Sequence, residues 1–165
     1  MSNLPSIDAA RDALRAHVLQ YSLKTGEFTL KSGRTSKWFL DTKQTACRAD
    51  GILLVADVAL SLLPTEINAI GGLTMGADPV AYGIAAVAAT RGRQLRSFSV
   101  RKEAKDHGVT GRIAGALQPG DKVAIVEDTV TRGLSIFEAV DAVREFGAFP
   151  QFITVIVDRG GTCAQ

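Results

Sequence analysis

The segment 122–139, KVAIVEDTVTRGLSIFEA, constrains the fold more than any other part of the chain. Its apolar residues 123–126 follow a Pro-Gly-Asp turn and predict a buried strand of a parallel sheet. Two acids, Glu127 and Asp128, end that run, and apolar residues then recur at helical spacing from Ile136 onwards. A strand, a polar loop and a helix in this order predict an α/β fold whose ligands bind at the carboxyl edge of the sheet.

The polar loop between this strand and helix has the chemistry of a phosphate and ribose site. Its Thr, Gly and Ser residues precede a helix N-terminus, where free N–H groups and the helix dipole favour a phosphate. Glu127 and Asp128 would repel a phosphate, but they suit a ribose diol or the water shell of Mg²⁺. We expect both acids to face solvent in the empty site. Adjacent acids at a strand end are more often a solvated turn, so this interpretation depends on the whole segment.

The segment contains neither of the two commonest nucleotide-binding patterns. GxxxxGK[ST] is missing from it, and the chain has no GxGxxG. Instead it resembles the motif with which type I phosphoribosyltransferases bind 5-phosphoribosyl 1-diphosphate (PRPP). The resemblance implies that Glu127 and Asp128 hold the ribose hydroxyls, and that Mg²⁺ is held mainly through PRPP and water, with Asp128 as a candidate ligand. The loop residues that it assigns to PRPP are Thr129, Val130, Thr131, Arg132, Gly133, Leu134 and Ser135.

Composition limits the other classes of function. The chain has 165 residues, of which 46% are hydrophobic and 22% charged, so we expect one globular domain over residues 1–165. A net charge of +2 is too small to favour nucleic acid. No signal peptide or run of transmembrane length occurs, and Cys47 and Cys163 have no metal-binding or redox spacing. We therefore expect a cytoplasmic protein without a nucleic-acid or membrane partner.

The first part of the chain predicts a helix followed by a hairpin. Residues 7–19 are amphipathic with Ser6 as N-cap, and we interpret the single histidine beside the apolar stripe, His17, as structural. The segment FTLKSGRTSKWFLDTK, which begins at Phe28, predicts two extended stretches joined by a Ser-Gly turn. It is similar to the amino-terminal hood of orotate phosphoribosyltransferases, which implies a hood over about residues 20–45 and the C-terminal end.

That resemblance also assigns residues of the hood to the substrates. It implies that Lys31 and Phe39 belong to the orotate site, with Lys31 also near the phosphates. One of the two paired aromatic positions of the family is Leu40 here.

A second strand-loop-helix unit follows the hairpin. Residues 49–63 predict a helix ended by a proline, residues 67–70 a short buried strand, and Gly71, Gly72 and Gly76 a loop that a ligand can approach closely. The dipeptide at 78–79 then supplies an N-cap, Asp78, and an N1 proline, Pro79, for a helix that runs to about Ala89. Two such loops on neighbouring parallel strands suit a ligand with phosphates at both ends. The loop matches the position of the family's pyrophosphate loop, which implies that Thr74 and Met75 contact PRPP.

The basic segment RKEAKDHG, residues 101–108, follows a predicted strand at 95–100, which we expect to neighbour the strand that ends in Glu127 and Asp128. A run of charges is usually a solvated face, but this one lies between a core strand and two glycines, which predicts a mobile lid over an anion. It matches the lid motif of orotate phosphoribosyltransferases residue for residue. The match implies that Arg101 and Lys102 bind pyrophosphate, and that Lys105 and His107 bind PRPP near the reaction centre and act in catalysis with Asp128.

The last strand, predicted as buried over 152–157, precedes Arg159. In the family the matching arginine pairs with the carboxylate of orotate, the strong bidentate type of ion pair, and Thr131 is likewise assigned to orotate. The resemblance covers about residues 28–161. Family members usually continue further, which leaves open a missing tail or a shorter domain.

The sequence thus predicts a type I phosphoribosyltransferase fold, α/β, with a central parallel sheet, flanking helices and a small N-terminal hood. The expected reaction converts orotate and PRPP to orotidine 5′-monophosphate and pyrophosphate with Mg²⁺, as in de novo pyrimidine (UMP) biosynthesis. The resemblance also implies a homodimer whose subunits share the lid. A purine phosphoribosyltransferase and a non-catalytic regulator that binds PRPP or nucleotides on the same fold remain the alternatives.

Overall fold

Helices and strands alternate along most of the chain. The computed structural model describes residues 6–29, 33, 35–105 and 111–160, with the backbone alone at 104 and 105. Its helices are α1 (Ile7–His17), α2 (Lys43–Ala46), α3 (Ala49–Leu62), α4 (Ala77–Thr90) and α5 (Leu134–Glu145). Its strands are β1 (Leu23–Thr29), β2 (Thr35–Leu40), β3 (Ala69–Leu73), β4 (Arg96–Lys105), β5 (Gly111–Gly115), β6 (Lys122–Val130) and β7 (Phe149–Asp158).

The strands form one large sheet and one hairpin. The order across the large sheet is β5-β4-β3-β6-β7. Strands β3, β4, β6 and β7 are parallel, and β5 pairs antiparallel with β4 at one edge. Strands β1 and β2 form a separate antiparallel hairpin within the residues predicted to be the hood. The predicted α/β class with a central, mostly parallel sheet is confirmed.

Strand β6 explains how an unbroken apolar run fits a layered core. Alternate side chains of a strand point to opposite faces of the sheet. Val123 and Ile125 accordingly join the cluster that contains the α5 residue Val143. Ala124 and Val126 join the cluster that contains residues of α3 and α4. Helices therefore cover both faces of β6, which makes every position from 123 to 126 apolar.

The first helix is capped as predicted but is shorter. Ser6 Oγ accepts a hydrogen bond from the backbone N–H of Ala9 at 3.3 Å. The helix ends at His17, and a π-helical turn, Val18–Ser22, continues to β1.

Four predictions about the later elements are wrong in their details. Strand β3 extends to Leu73, so Gly71 and Gly72 lie inside a buried strand and not in a ligand-binding loop. A Cβ at Gly71 would overlap Phe98, and one at Gly72 the carbonyl oxygen of Val126, so both glycines serve packing. Helix α4 begins at Ala77 with Gly76 at the N-cap, which moves the 78–79 dipeptide into the first turn.

The other two corrections concern strands. Strand β4 continues through residues 101–105, five residues beyond its predicted end, because it pairs with β5. Strand β7 is half-buried rather than buried, because it forms the other edge of the sheet. No helix in the described part of the chain combines the length and the apolar character needed to cross a membrane.

Candidate active site

Two loops meet at the carboxyl edge of the sheet. Strands β3 and β6 are parallel neighbours, with Ala69 beside Val123 and Gly71 beside Ile125. The loop after β3 and the loop after β6 therefore emerge side by side, as predicted for a ligand with phosphates at both ends.

The loop after β6 encloses a cavity. The cavity has a volume of about 350 Å³ and is lined by Glu127 and residues 129–136. Gly133 has a left-handed backbone, φ 74°, which allows the chain to turn sharply into α5. The first N–H groups of α5 lie at this cavity, where the helix dipole favours an anion. All seven loop residues that the sequence assigns to a phosphate therefore lie around one space.

The two acids are buried, which contradicts the prediction that they face solvent. Glu127 is 7% exposed and Asp128 is 6% exposed. Asp128 Oδ2 accepts hydrogen bonds from Thr42 Oγ1 and from Lys43 Nζ, both at 2.8 Å. The backbone N–H of Asp128 donates to Glu127 Oε1 at 3.2 Å. The prediction failed because β6 continues past the acids to residue 130, and the start of α2 contacts Asp128 through Thr42 and Lys43.

Burial and charge separate the pKa values of the two carboxyls. Burial, together with the hydrogen bond and the negative charge of Asp128, raises the pKa of Glu127 to about 7. Burial also acts to raise the pKa of Asp128, but hydrogen bonds from Lys43 and Thr42 outweigh it and hold that pKa below its usual value. The pair therefore combines an ionised carboxylate with one that takes up a proton near neutrality.

The loop after β3 lies against this acid pair. A Cβ at Gly76 would collide with the carboxylates of Glu127 and Asp128, so glycine permits the close approach. Asp78 anchors the loop by accepting hydrogen bonds from Thr74 Oγ1 at 2.7 Å and from Ser99 Oγ at 2.6 Å. The peptide bond after Thr74 is cis, and Met75 is 68% exposed. Both predicted pyrophosphate-loop residues thus lie at the same edge as the acids.

The basic segment leaves the sheet from β4. Arg101 is half-buried and Lys102 is exposed. Arg101 Nη1 is buried without a hydrogen-bond partner among the described residues. Strand β3 lies between β4 and β6, so the prediction that the lid leaves a strand adjacent to the acids is wrong. The backbone of Lys105 pairs with Gly111, and the predicted lid residue at 107, a histidine, lies outside the described residues.

The hairpin and β7 form the third side of the site. The backbone N–H of Arg159 donates to Val130 O at 2.9 Å, which ties it to the end of β6. Its guanidinium lies over the ring of Trp38, 4.6 Å from the centroid. Phe39 points to the other face of β2, where its ring lies 5.7 Å from that of Phe28. The predicted orotate residue at position 31 is outside the described residues.

The sequence analysis did not assign three residues of this site: Thr42, Lys43 and Trp38. Thr42 and Lys43 are the last two residues of the hood motif but resemble an ordinary polar turn. Trp38 adjoins the predicted aromatic, and the alternation of β2 was the available signal, because it places Trp38 and Leu40 on one face and Phe39 on the other. Both Trp38 and Leu40 line the groove that contains Arg159.

The raised pKa of Glu127 predicts a pH dependence of stability. A folded-state pKa of about 7 against 4.5 for the free side chain means that the native chain keeps a proton that the unfolded chain has lost. This contribution is present below pH 4.5 and is lost as pH rises through 7, a change of up to about 3 kcal/mol. Glu127→Gln should abolish it, because an amide carbonyl can still accept from the Asp128 N–H and does not titrate.

Urea unfolding at several pH values tests this prediction. The free energy of unfolding of the wild type relative to Glu127→Gln should fall as pH rises from 5 to 8. Glu145→Gln, at the exposed end of α5, is the matched control and should run parallel to the wild type. A constant difference between wild type and Glu127→Gln would contradict the shift.

Comparison with known proteins identifies relatives across nearly the whole chain. No protein-family model matches it. The orotate phosphoribosyltransferase of Streptomyces avermitilis is 41% identical over 160 residues, which are 96% of this chain and 88% of the relative. That of Aquifex aeolicus is 40% identical over 154 residues, covering 90% of this chain and 84% of the relative.

Solved structures agree with these relatives. The orotate phosphoribosyltransferase of Mycobacterium tuberculosis in complex with Fe(III) dicitrate has a TM-score of 0.83 and 34% identity, over 94% of this chain and 89% of that chain. The same enzyme in complex with PRPP has a TM-score of 0.76 and 30% identity, over 94% and 88%. At these identities and coverages, this chain belongs to the orotate phosphoribosyltransferase family.

Proposed function

We propose that this chain transfers the phosphoribosyl group of PRPP to N1 of orotate, giving orotidine 5′-monophosphate and pyrophosphate. The observation that carries the proposal is the buried acid pair, Glu127 and Asp128, beside the cavity formed by residues 129–136. A carboxylate pair accepts hydrogen bonds from a vicinal diol, and a helix N-terminus next to it suits a phosphate. Ribose 5-phosphate presents these two groups together.

The remaining residues divide the work of binding PRPP and orotate. The acids would hold the ribose, residues 129–135 its 5′-phosphate, and Thr74 and Met75 with Arg101 and Lys102 its pyrophosphate. The buried donor on Arg101 that has no partner among the described residues supports an anion at that position. Thr131 and Arg159, with Lys31, would hold orotate so that N1 faces C1 of the ribose. Trp38, which shares the groove of Arg159, takes the aromatic role predicted for Phe39, because Phe39 lies on the other face of β2.

The reaction then needs no protein nucleophile. As N1 attacks C1, the C1–O bond to pyrophosphate breaks and its electron pair leaves with pyrophosphate, while positive charge develops on the ribose in the transition state. The proton of N1 is lost to the departing pyrophosphate or to water. The chain contributes by positioning both substrates and by placing cations near the departing pyrophosphate. Lys105 and His107, on the lid, would add further positive charge near the departing pyrophosphate.

Mg²⁺ fits the site as an ion held mainly through the substrate. No group of three or more His, Cys, Asp or Glu side chains within the described ranges could hold a metal by itself. Two adjacent carboxylates do suit the water shell of Mg²⁺, with Asp128 as the ionised candidate ligand. When bound, Mg²⁺ would neutralise charge on the pyrophosphate. A homodimer with a shared lid, and a cytoplasmic location, also stay predictions.

Pyrophosphate release tests the proposed reaction. The protein is mixed with PRPP and Mg²⁺ and, in separate reactions, with orotate, uracil, adenine or hypoxanthine. Pyrophosphate release is expected only in the reaction that contains orotate. Release with adenine or hypoxanthine would instead favour a purine phosphoribosyltransferase, and PRPP binding without release would favour a regulator.

Replacing Arg159 should affect orotate far more than PRPP. A bidentate charged pair is worth about 1.5–3 kcal/mol, so Arg159→Ala should raise the KM for orotate about tenfold or more. The KM for PRPP should change much less. Because Trp38 is the single tryptophan of the chain and lies under Arg159, its fluorescence should change on orotate binding in the wild type. Equal effects on both substrates would mean that Arg159 does not recognise the carboxylate.

A further inference from the structure

The start of α2 connects the hairpin to the acid pair. Thr42 Oγ1 and Lys43 Nζ both donate to one oxygen, Asp128 Oδ2, at 2.8 Å. Thr42 Oγ1 also lies 2.7 Å from Thr129 Oγ1. Since Thr42 gives its hydrogen to Asp128, the Thr129 hydroxyl is the donor of that second bond. Two residues that Asp41 alone separates from β2 are therefore bonded to two residues of β6.

Buried polar contacts hold α2 in this position from the other side. Thr45 Oγ1 lies 2.7 Å from Ser22 Oγ and 3.1 Å from His17 Nδ1. The backbone N–H of Asp41 donates to Ser22 O at 2.9 Å. Thr45 and Ser22 are both fully buried, and His17 is 7% exposed. The location of Lys43 is thus determined by packing against the π-helical turn rather than by its own flexible side chain.

The ion pair between Lys43 and Asp128 differs from an ordinary surface pair. The Lys43 side chain is 43% exposed, but that of Asp128 is 9% exposed and adjoins a second acid. A buried carboxylate needs hydrogen bonds and an opposite charge, whereas two exposed partners gain little from pairing. The cavity proposed for the 5′-phosphate is lined by Glu127 and residues 129–136, so Lys43 contacts the acid and not that cavity.

We propose that Lys43 is a positioning residue for PRPP binding, which balances the charge of the Asp128 carboxylate and holds it oriented toward the ribose. With Thr42 it also ties the hairpin that carries Trp38 to the strand that carries the acids. The proposal rests on the proposed function, in which Asp128 binds the ribose hydroxyls. It adds a residue of α2 that acts on the substrate through Asp128.

Calorimetric titration with PRPP and Mg²⁺, without any base, tests the role of Lys43. Lys43→Met should raise the dissociation constant of PRPP about tenfold, the loss typical of one charged hydrogen bond. Lys43→Arg keeps the charge and should stay within about threefold of the wild type. Lys37→Met removes an equal charge from an exposed position of β2 and is the matched control, with little expected change.

A double-mutant cycle distinguishes action through Asp128 from direct contact with PRPP. In the Asp128→Asn background, titrated at high PRPP concentration, Lys43→Met should change the dissociation constant less than about twofold. An equal loss in both backgrounds would overturn the proposal, because Lys43 would then bind PRPP itself. Tighter binding by Lys43→Met would overturn it too, because Lys43 would then compete with the substrate.

The outcomes separate this proposal from the proposed function. Wild-type protein that binds PRPP but releases no pyrophosphate with orotate would contradict the proposed function alone, since the titrations need no base. Wild-type protein that does not bind PRPP would overturn both. Urea unfolding of the four proteins of the cycle needs no ligand, and additive effects on stability would contradict the ion pair itself.

Discussion

Asp128→Asn is expected to weaken PRPP binding about a hundredfold or more and to lower the stability of the free protein as well. The first effect follows from losing charged hydrogen bonds to two ribose hydroxyls, each worth about 1.5–3 kcal/mol. The second follows from the contacts of Asp128 with Thr42 and Lys43. Removing the charge also relieves its repulsion of Glu127, and Lys43 can reach water. We therefore expect the free energy of unfolding to fall by only about 1 kcal/mol.

Calorimetry with PRPP and urea unfolding measure the two effects separately. Asp141→Asn is the matched control, because Asp141 is exposed on the outer face of α5 and its side chain is 69% accessible. It should change neither quantity. Unchanged PRPP affinity in Asp128→Asn would mean that the acid pair has a purely structural role.

Mixing two inactive variants should restore activity if the lid is shared across a homodimer. Strand β4 runs five residues beyond Val100, which pairs with the last residue of β3, Leu73. The register between β4 and β5 is irregular here, since Val100 pairs with Ile113 and Lys105 with Gly111, so the two strands continue by two residues of β5, or about 7 Å, beyond the end of β3. Two paired strands that continue past the strand beside them are suited to reach a neighbouring subunit.

The test mixes the Lys105→Ala protein with the Asp128→Asn protein, each expected to be nearly inactive alone. In a two-fold dimer with shared sites, a mixed dimer places both lesions in one site and leaves the other intact. Random exchange should therefore restore about a quarter of the wild-type sites. If each chain closes its own site, every site keeps one lesion. No recovery of orotate-dependent pyrophosphate release, with exchange confirmed by mass spectrometry, would exclude the shared lid.

Local patterns predicted the elements of the site better than their surroundings. The apolar run before Glu127 and the helical spacing after Ile136 identified β6 and α5, because periodicity reports which faces of an element are covered. The same patterns misjudged the glycines at 71 and 72. A glycine that admits a ligand and one that admits a neighbouring strand look alike in a sequence.

The sequence by itself determined the α/β class, the two adjacent strand-loop-helix units and the family of the chain, since these depend on local periodicity and on continuous motifs. Only the tertiary structure decided that the acids are buried, that β3 separates β4 from β6, and that Lys43 pairs with Asp128. Lys43 and Asp128 are 85 residues apart in the chain. Burial at the end of a strand depends on the distant segments that pack over it. Here these are the start of α2, held in place by the buried contacts of Ser22 and Thr45, and the loop at Gly76.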